Sequence, residues 1–190
     1  MRIDGTISEM SGARARDKLD RFAALYERTE AGGFRLVDAP TTSPYAAPDY
    51  YPSGGVGLVS TASDYLRFAQ MLLNGGELNS TRLLTRETID MMARNHLPDK
   101  LVPIHFGPNP WPGMGYGLGF GVHMNTAKAG VPVSDGTFGW IGWGGTGFWV
   151  DPREELIRLW LTQFRHGTEP VDTVFQDLVY QALADSRAPC

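Results

Sequence analysis

The chain of 190 residues has one cysteine, Cys190, at its last position. No second thiol exists to close an intramolecular disulfide, and no thiolate cluster exists to hold a metal. Positive charge is also short: 17 Lys and Arg face 21 Asp and Glu, for a formal net charge of −4. That excludes the clustered basic surface a phosphate backbone requires, so no nucleic-acid partner is expected. Apolar runs stop well short of the ~20 residues of a membrane span, and the opening MRIDGTISEMSGARARDKLD lacks the apolar centre of a signal peptide. No membrane partner and a cytoplasmic location are therefore expected. There is no Gly-Lys pair for a Walker A loop and no G-x-S-x-G nucleophile elbow. The four histidines, His96, His105, His123 and His166, show no H-x-H or H-E-x-x-H spacing, so neither a metal nor a cofactor is expected. Glu154-Glu155 lies in a turn-like stretch and reads as a solvated pair rather than an acid–base couple.

What is present suits one globular unit rich in turns: 42% hydrophobic residues, 23 glycines and 13 prolines. Residues 17–29, DKLDRFAALYERT, place Leu19, Phe22, Ala23 and Tyr26 at helical spacing and predict a short amphipathic helix. From Gly32 to Pro52 the chain reads as a long irregular excursion with a brief strand at FRLV, and loops of that length usually cover a site. Thr61-Ala62-Ser63-Asp64 is a capping signature for a helix to about Asn74 that buries Tyr65, Phe68, Ala69 and Leu72, with Gly75-Gly76 as its stop. A second helix is expected from Thr85, burying Ile89 and Met92. Strand signals follow at 116–124, 136–143, 147–151 and 155–164, an antiparallel meander. Between Thr168 and Ala184, Val171, Val174, Phe175, Leu178 and Ala182 recur at helical spacing, predicting a helix whose apolar stripe covers one sheet face. Residues 1–115 thus form a helical, loop-rich part, and 116–190 form antiparallel strands plus a C-terminal helix.

The densest signal is GTFGWIGWGGTGFWVDP, residues 136–152, where glycines alternate with Phe138, Trp140, Trp143, Phe148 and Trp149. Gly142 to Gly147 spells G-x-G-x-x-G, but a dinucleotide fingerprint must open a helix, and here a strand and an Asp-Pro turn follow. Two readings stand open: a sheet interior packed with indoles, or glycines that let a ligand approach the strand backbone.

Taken in order, SGGVGLVSTASDYLRFAQMLLNGGELNSTRLLTRETIDMM, YGLGFGV and GTFGWIGWGGTGFWVDPREELIRLWLTQ resemble the C-terminal portion of the serine β-lactamase-like superfamily. The likeness is to class C β-lactamases, family VIII carboxylesterases and penicillin-binding-protein-like hydrolases, and it covers roughly residues 17 to 165. It implies an α+β fold of the β-lactamase/transpeptidase type, here partial. It also implies acyl transfer in which a Ser of S-x-x-K attacks a carbonyl, a Lys and a Tyr manage protons, and a strand bearing K-T-G, H-x-G or W-x-G walls the site. By resemblance, Trp140-Ile141-Gly142 is the W-x-G strand and the Trp143 N–H is half of an oxyanion hole. Trp143-Gly144-Gly145 is the alternative register and requires a short deletion.

The departure is as informative. None of Ser8, Ser11, Ser43, Ser53, Ser60, Ser63, Ser80, Ser134 and Ser186 has a lysine three positions on, and no tyrosine begins Y-x-N. The family carries both motifs upstream of the matched region, so the chain is expected to be a C-terminal part with no catalytic residue of its own and no activity alone. Its partner would be a small acyl substrate, ester or β-lactam, once the fold is completed. Missing strands would leave an open sheet edge, inviting self-association or pairing with an N-terminal fragment. The alternatives are a non-catalytic binding or assembly module with an aromatic groove, and an unrelated β protein that takes a planar or sugar-like ligand on Trp140, Trp143 and Trp149.

Overall fold

The computed structural model describes residues 19–46, 55, 57–165 and 171–187. A single 3-10 turn, Leu19–Arg21, leads into β1 (Leu25–Arg28) and β2 (Phe34–Asp38). After a 3-10 turn at Pro44–Ala46 come α1 (Ala62–Leu73), the small hairpin β3 (Glu77–Leu78) and β4 (Thr81–Arg82), and α2 (Arg86–Met92). A second small hairpin, β5 (His105–Phe106) and β6 (Asn109–Pro110), precedes β7 (Met114–Tyr116), β8 (Gly121–His123) and α3 (Thr126–Ala129). The chain ends in β9 (Phe138–Ile141), β10 (Thr146–Asp151), β11 (Leu156–Leu161), β12 (Phe164–Arg165) and α4 (Val171–Ser186).

Five of these strands form one antiparallel sheet in the order β11-β10-β9-β8-β7, the meander that the alternating apolar runs imply. The stretch 116–124 is two strands, because Gly117 to Phe120 closes a tight turn with the Gly117 N–H donating to the Phe120 carbonyl at 2.7 Å. Successive side chains alternate between faces. Phe138, Phe148 and Val150, with Phe120 and Val122, turn to α1, where Ala69, Met71 and Leu72 complete a buried core. Tyr65 and Phe68 pack edge-on against Phe148, with ring centroids 5.1 and 6.1 Å away.

Local chemistry accounts for the ends of α1. The Thr61 hydroxyl accepts from the Asp64 N–H at 3.2 Å. At the other end, the Gly76 N–H reaches back to Met71 and the Gly75 N–H to Leu72, both glycines holding positive φ (+95° and +72°). The second helix starts as expected, with Thr85 capping at the Thr88 N–H and Ile89 buried.

Two sequence expectations are corrected. Over the described part of 17–29 there is no α-helix, only the 3-10 turn Leu19–Arg21: Leu25 to Arg28 is strand β1, buried at Leu25 and Glu27 and exposed at Tyr26 and Arg28. Pairing with β2 on one side and, in parallel, with β12 on the other overrides the helical spacing. The strand at FRLV is present as β2, while residues 47–52 of the irregular excursion lie outside the described residues.

The second correction concerns α4. It forms at the expected place, but its apolar stripe points outward: Val171, Val174, Phe175 and Leu178 are all exposed. Its polar side faces the sheet, where buried Gln176 accepts from Arg158, Asp172 stands 3.8 Å from the same guanidinium, and the Tyr180 hydroxyl donates to Asp151 at 2.7 Å. The reason lies on the sheet. Arg158 and Asp151, both almost fully buried, occupy the face that α4 covers, and buried charges require polar partners.

Candidate active-site wall

The aromatic-glycine stretch is a β-hairpin. In β9, Ile141 pairs with Gly147, Trp140 with Phe148, Gly139 with Trp149 and Phe138 with Val150. Glycine is required at 139 by space, since a Cβ there would lie 2.0 Å from the Phe148 carbonyl oxygen. At the turn the Gly142 N–H donates to the Thr146 carbonyl at 2.8 Å, and the Gly145 N–H to the Gly142 carbonyl at 3.1 Å, with Gly145 at φ +75°. The G-x-G-x-x-G string is therefore a hairpin turn feeding strand β10, with no helix to receive a pyrophosphate.

The rings of this stretch divide by role. Phe138, Phe148 and Trp149 are core. Trp140 is partly buried and wedged between Tyr116, edge-on at 4.9 Å, and Trp111, tilted at 5.7 Å. Trp143 sits in the turn with half its surface open, and its backbone N–H donates to no described residue. Ile141 and Gly142, between them, are partly buried. The four residues singled out by sequence thus form one continuous unit: a strand end, a tightly held glycine, and just beyond it an amide that donates to no described residue.

That turn is braced from one side. The Thr162 hydroxyl donates to the Gly145 carbonyl, and the Phe164 N–H donates to the Gly144 carbonyl at 2.8 Å. The Arg165 guanidinium lies over the Trp143 ring, 5.2 Å from its centroid, a cation–π contact. Arg165 also pairs with Glu27 of β1, as does Arg35 of β2. The hydrogen bond from Arg35 holds the Glu27 carboxyl below its ordinary range; burial opposes this and Arg165 reinforces it. Sequence reasoning missed Glu27, Thr162 and Arg165, because each reaches the turn through pairings distant in sequence.

Beneath the opposite side of the sheet lies a polar layer. Burial alone would raise the pKa of Asp151, but the Tyr180 hydroxyl and the amides of Ser134 and Glu154 outweigh it and hold the carboxyl low. His123, its ring tilted against Trp149 at 5.1 Å, has its pKa pushed down to about 4 by burial and by Arg158, against the pull of Asp135 and Asp151. An open depression of about 600 Å³ lies between α4 and the segment after α3, lined by Pro132, Tyr180 and Arg187 among others and by no residue of the β9–β10 turn. Among the described residues no three His, Cys, Asp or Glu side chains gather as a metal site, and no helix is long and apolar enough to cross a membrane.

The chain as a whole is similar to known proteins. The profile of the Beta-lactamase family matches residues 7–181. The chain belongs to the beta-lactamase family. Among curated relatives, Protein Rv1367c of Mycobacterium tuberculosis is 36% identical over 151 residues, covering 77% of this chain and 37% of its own length. A putative D-alanyl-D-alanine carboxypeptidase of Escherichia coli is 29% identical over 125 residues, covering 62% of this chain and 26% of that protein. Among solved structures, a simvastatin synthase (LovD) variant from Aspergillus terreus superposes with a TM-score of 0.77 at 22% identity over 96% of this chain and 47% of its own. EstCE1, described as a hydrolase with promiscuous acyltransferase activity, does so with a TM-score of 0.74 at 22% identity over 94% of this chain and 47% of its own. At that identity the two structures establish the fold, and the fold is the α+β, β-lactamase/transpeptidase-like one, covered in part. The chain spans less than half the length of each of these relatives.

Proposed function

We propose that this chain forms the substrate wall of a serine β-lactamase-like acyl-transfer enzyme, acting on an ester or β-lactam carbonyl. Trp140-Ile141-Gly142 is the strand motif and the Trp143 N–H is one oxyanion donor. The observation that carries this reading is the Trp143 amide, which donates to no described residue and lies one residue past a glycine whose own N–H is fixed to Thr146. An N–H held by the backbone costs no reorganisation when negative charge forms on the carbonyl oxygen. In the reaction, a serine hydroxyl gives its proton to the Lys and Tyr pair as its oxygen adds to the carbonyl carbon and the π electrons move onto oxygen. Trp143 then donates to that oxyanion until it collapses, and the leaving group takes up the held proton and departs as an alcohol or amine.

The serine, its lysine and the proton-handling tyrosine lie outside this chain, since none of its nine serines starts S-x-x-K and no tyrosine starts Y-x-N. Thus we expect no turnover from the chain alone. The binding-module alternative has less support: Trp140 and Trp149 are committed to packing, which leaves Trp143 as the one open indole of that stretch.

The test is incubation of the chain with p-nitrophenyl butyrate and a fluorophosphonate, alone and with the segment of Protein Rv1367c outside its matched region. The expected result is no turnover and no adduct alone, and turnover with one adduct on the added segment when combined. Trp143→Pro, which removes the N–H, should lower that turnover by about 100- to 1000-fold, while Trp143→Ala should keep most of it. An adduct on a serine of this chain would refute the division of labour. Equal turnover of the two variants would refute the oxyanion role.

A further inference from the structure

The tip of the β9–β10 turn is Trp143, Gly144 and Gly145, and two of those three residues have no side chain to pack. Glycine adds conformational freedom at each, and Gly145 uses it, with φ at +75°. Within the turn, the Trp143 N–H is aimed through its neighbours. It shares a planar peptide unit with the Gly142 carbonyl, so setting the direction of one sets the other. The Gly142 carbonyl accepts from the Gly145 N–H at 3.1 Å. The aim of the Trp143 amide therefore depends on where residue 145 is held.

Residue 145 is held from outside the hairpin. The Thr162 hydroxyl, one residue past the end of β11, donates to the Gly145 carbonyl, and the Phe164 N–H donates to the Gly144 carbonyl at 2.8 Å. The two ties differ in kind. Phe164 acts through a backbone N–H, which every residue but proline supplies, whereas Thr162 acts through its side chain. Thr162 is partly buried and anchored on both sides. Before it, β11 pairs with β10 as far as Leu161; after it, the Gln163 carbonyl accepts from the Tyr26 N–H at 3.0 Å, where β1 pairs with β12. The hydroxyl thus stands on two sheets, while the carbonyl it grips belongs to a glycine.

We infer that Thr162 is a positioning residue for acyl transfer: its hydroxyl holds the Gly145 peptide, which through the Gly142 carbonyl aims the Trp143 N–H at the developing oxyanion. Thr162 itself touches no reacting atom. This rests on the oxyanion role proposed for Trp143 and adds the side chain that keeps the donor aimed. A donor that matters only in the transition state raises kcat and leaves substrate binding alone. Loosening it should cost about 10-fold, less than the about 100- to 1000-fold of losing a donor outright.

The experiment combines the full 190-residue chain with the Rv1367c segment described above and measures kcat and KM on p-nitrophenyl butyrate. Thr162→Val, which keeps the branched shape and removes the hydroxyl, should lower kcat about 10-fold with KM within about 2-fold of wild type. Thr162→Ser, which keeps the hydroxyl, should restore kcat to within about 3-fold. Circular dichroism of both variants should match wild type. Backbone amide relaxation of the chain alone, by NMR, reads the same tie without turnover. The order parameter of the Trp143 amide should be about 0.85 in wild type and Thr162→Ser and fall below about 0.6 in Thr162→Val. An unchanged kcat in Thr162→Val, a loss carried by KM, a serine variant as slow as the valine one, or a Trp143 amide equally rigid in all three would each overturn the inference. If the combined parts hydrolyse no ester, or if Trp143→Pro matches Trp143→Ala, the oxyanion reading fails instead, and the order parameter alone then decides whether Thr162 holds the amide.

Discussion

Lowering the pH from about 7.5 to about 5 should destabilise this protein through one side chain, His123. Its imidazole is 6% exposed, lies against Trp149, and has an Nδ1 with no hydrogen-bond partner among the described residues. Burial is the largest cause of its low pKa, with Arg158 adding to it, which moves the group from 6.5 to about 4. A folded-state pKa below the unfolded value means that the unfolded chain binds more protons between the two. Stability is therefore full above the unfolded pKa and falls as pH drops toward the folded one. At ~1.4 kcal/mol per pKa unit, the loss between about pH 7.5 and about pH 5 is about 2 kcal/mol, or roughly 4–8 °C in Tm for a chain of this size. The carboxylates held low, Asp151, Asp135 and Glu27, act in a separate window. Their ordinary values are 3.8, 3.8 and 4.5, so their stabilisation is lost mainly below those values. The assay is equilibrium urea unfolding, read by tryptophan fluorescence at a series of pH values, for wild type and His123→Phe. Phenylalanine keeps a ring against Trp149 and cannot titrate. The gap between the two proteins should change by about 2 kcal/mol across the window. A gap that stays constant with pH would refute the placement of a neutral imidazole under the sheet.

Two further substitutions test the hairpin and the polar layer. Gly139→Ala sets a methyl 2.0 Å from the Phe148 carbonyl and should cost about 3 kcal/mol or more in the same unfolding assay; Gly33→Ala, whose methyl meets only Thr29 at 3.5 Å, should stay within about 0.5 kcal/mol. Tyr180→Phe removes the hydroxyl that donates to buried Asp151 and should cost about 1.5–3 kcal/mol, with the midpoint of acid unfolding moving to higher pH because the Asp151 pKa rises toward its unfolded value. An acid midpoint unchanged in Tyr180→Phe would show that the hydroxyl does not hold that carboxylate.

Most of the sheet is legible in the sequence because its signals are local. The alternation Phe148-Trp149-Val150, the Asp-Pro turn and the apolar strand after it specify a meander without long-range information. The same holds for α1, where Thr61 and Gly75-Gly76 mark both ends. Residues 25–28 were misread because Leu19, Phe22, Ala23 and Tyr26 satisfy a helical period by coincidence, while the deciding contacts come from β2 and β12. The facing of α4 was misread for a different reason. Periodicity finds an apolar stripe but does not say what it packs on, and the buried Arg158 and Asp151 that turn the polar side inward lie on strands read only as apolar runs. At the candidate site, Trp140 to Trp143 were found through the motif, whereas Glu27, Thr162 and Arg165 carry no motif at all.

Those unflagged residues bear on the oxyanion role proposed for Trp143. The Trp143 amide can serve as an oxyanion donor only if the turn holds its place, and a glycine-rich turn has little stiffness of its own. Here the carbonyls of Gly144 and Gly145 are both tied to the segment after β11, and Arg165 links the Trp143 ring to Glu27. Glu27 in turn belongs to β1, which pairs with β12. The bracing therefore closes within residues 25–165 and ties the turn to the three-stranded sheet of β12, β1 and β2.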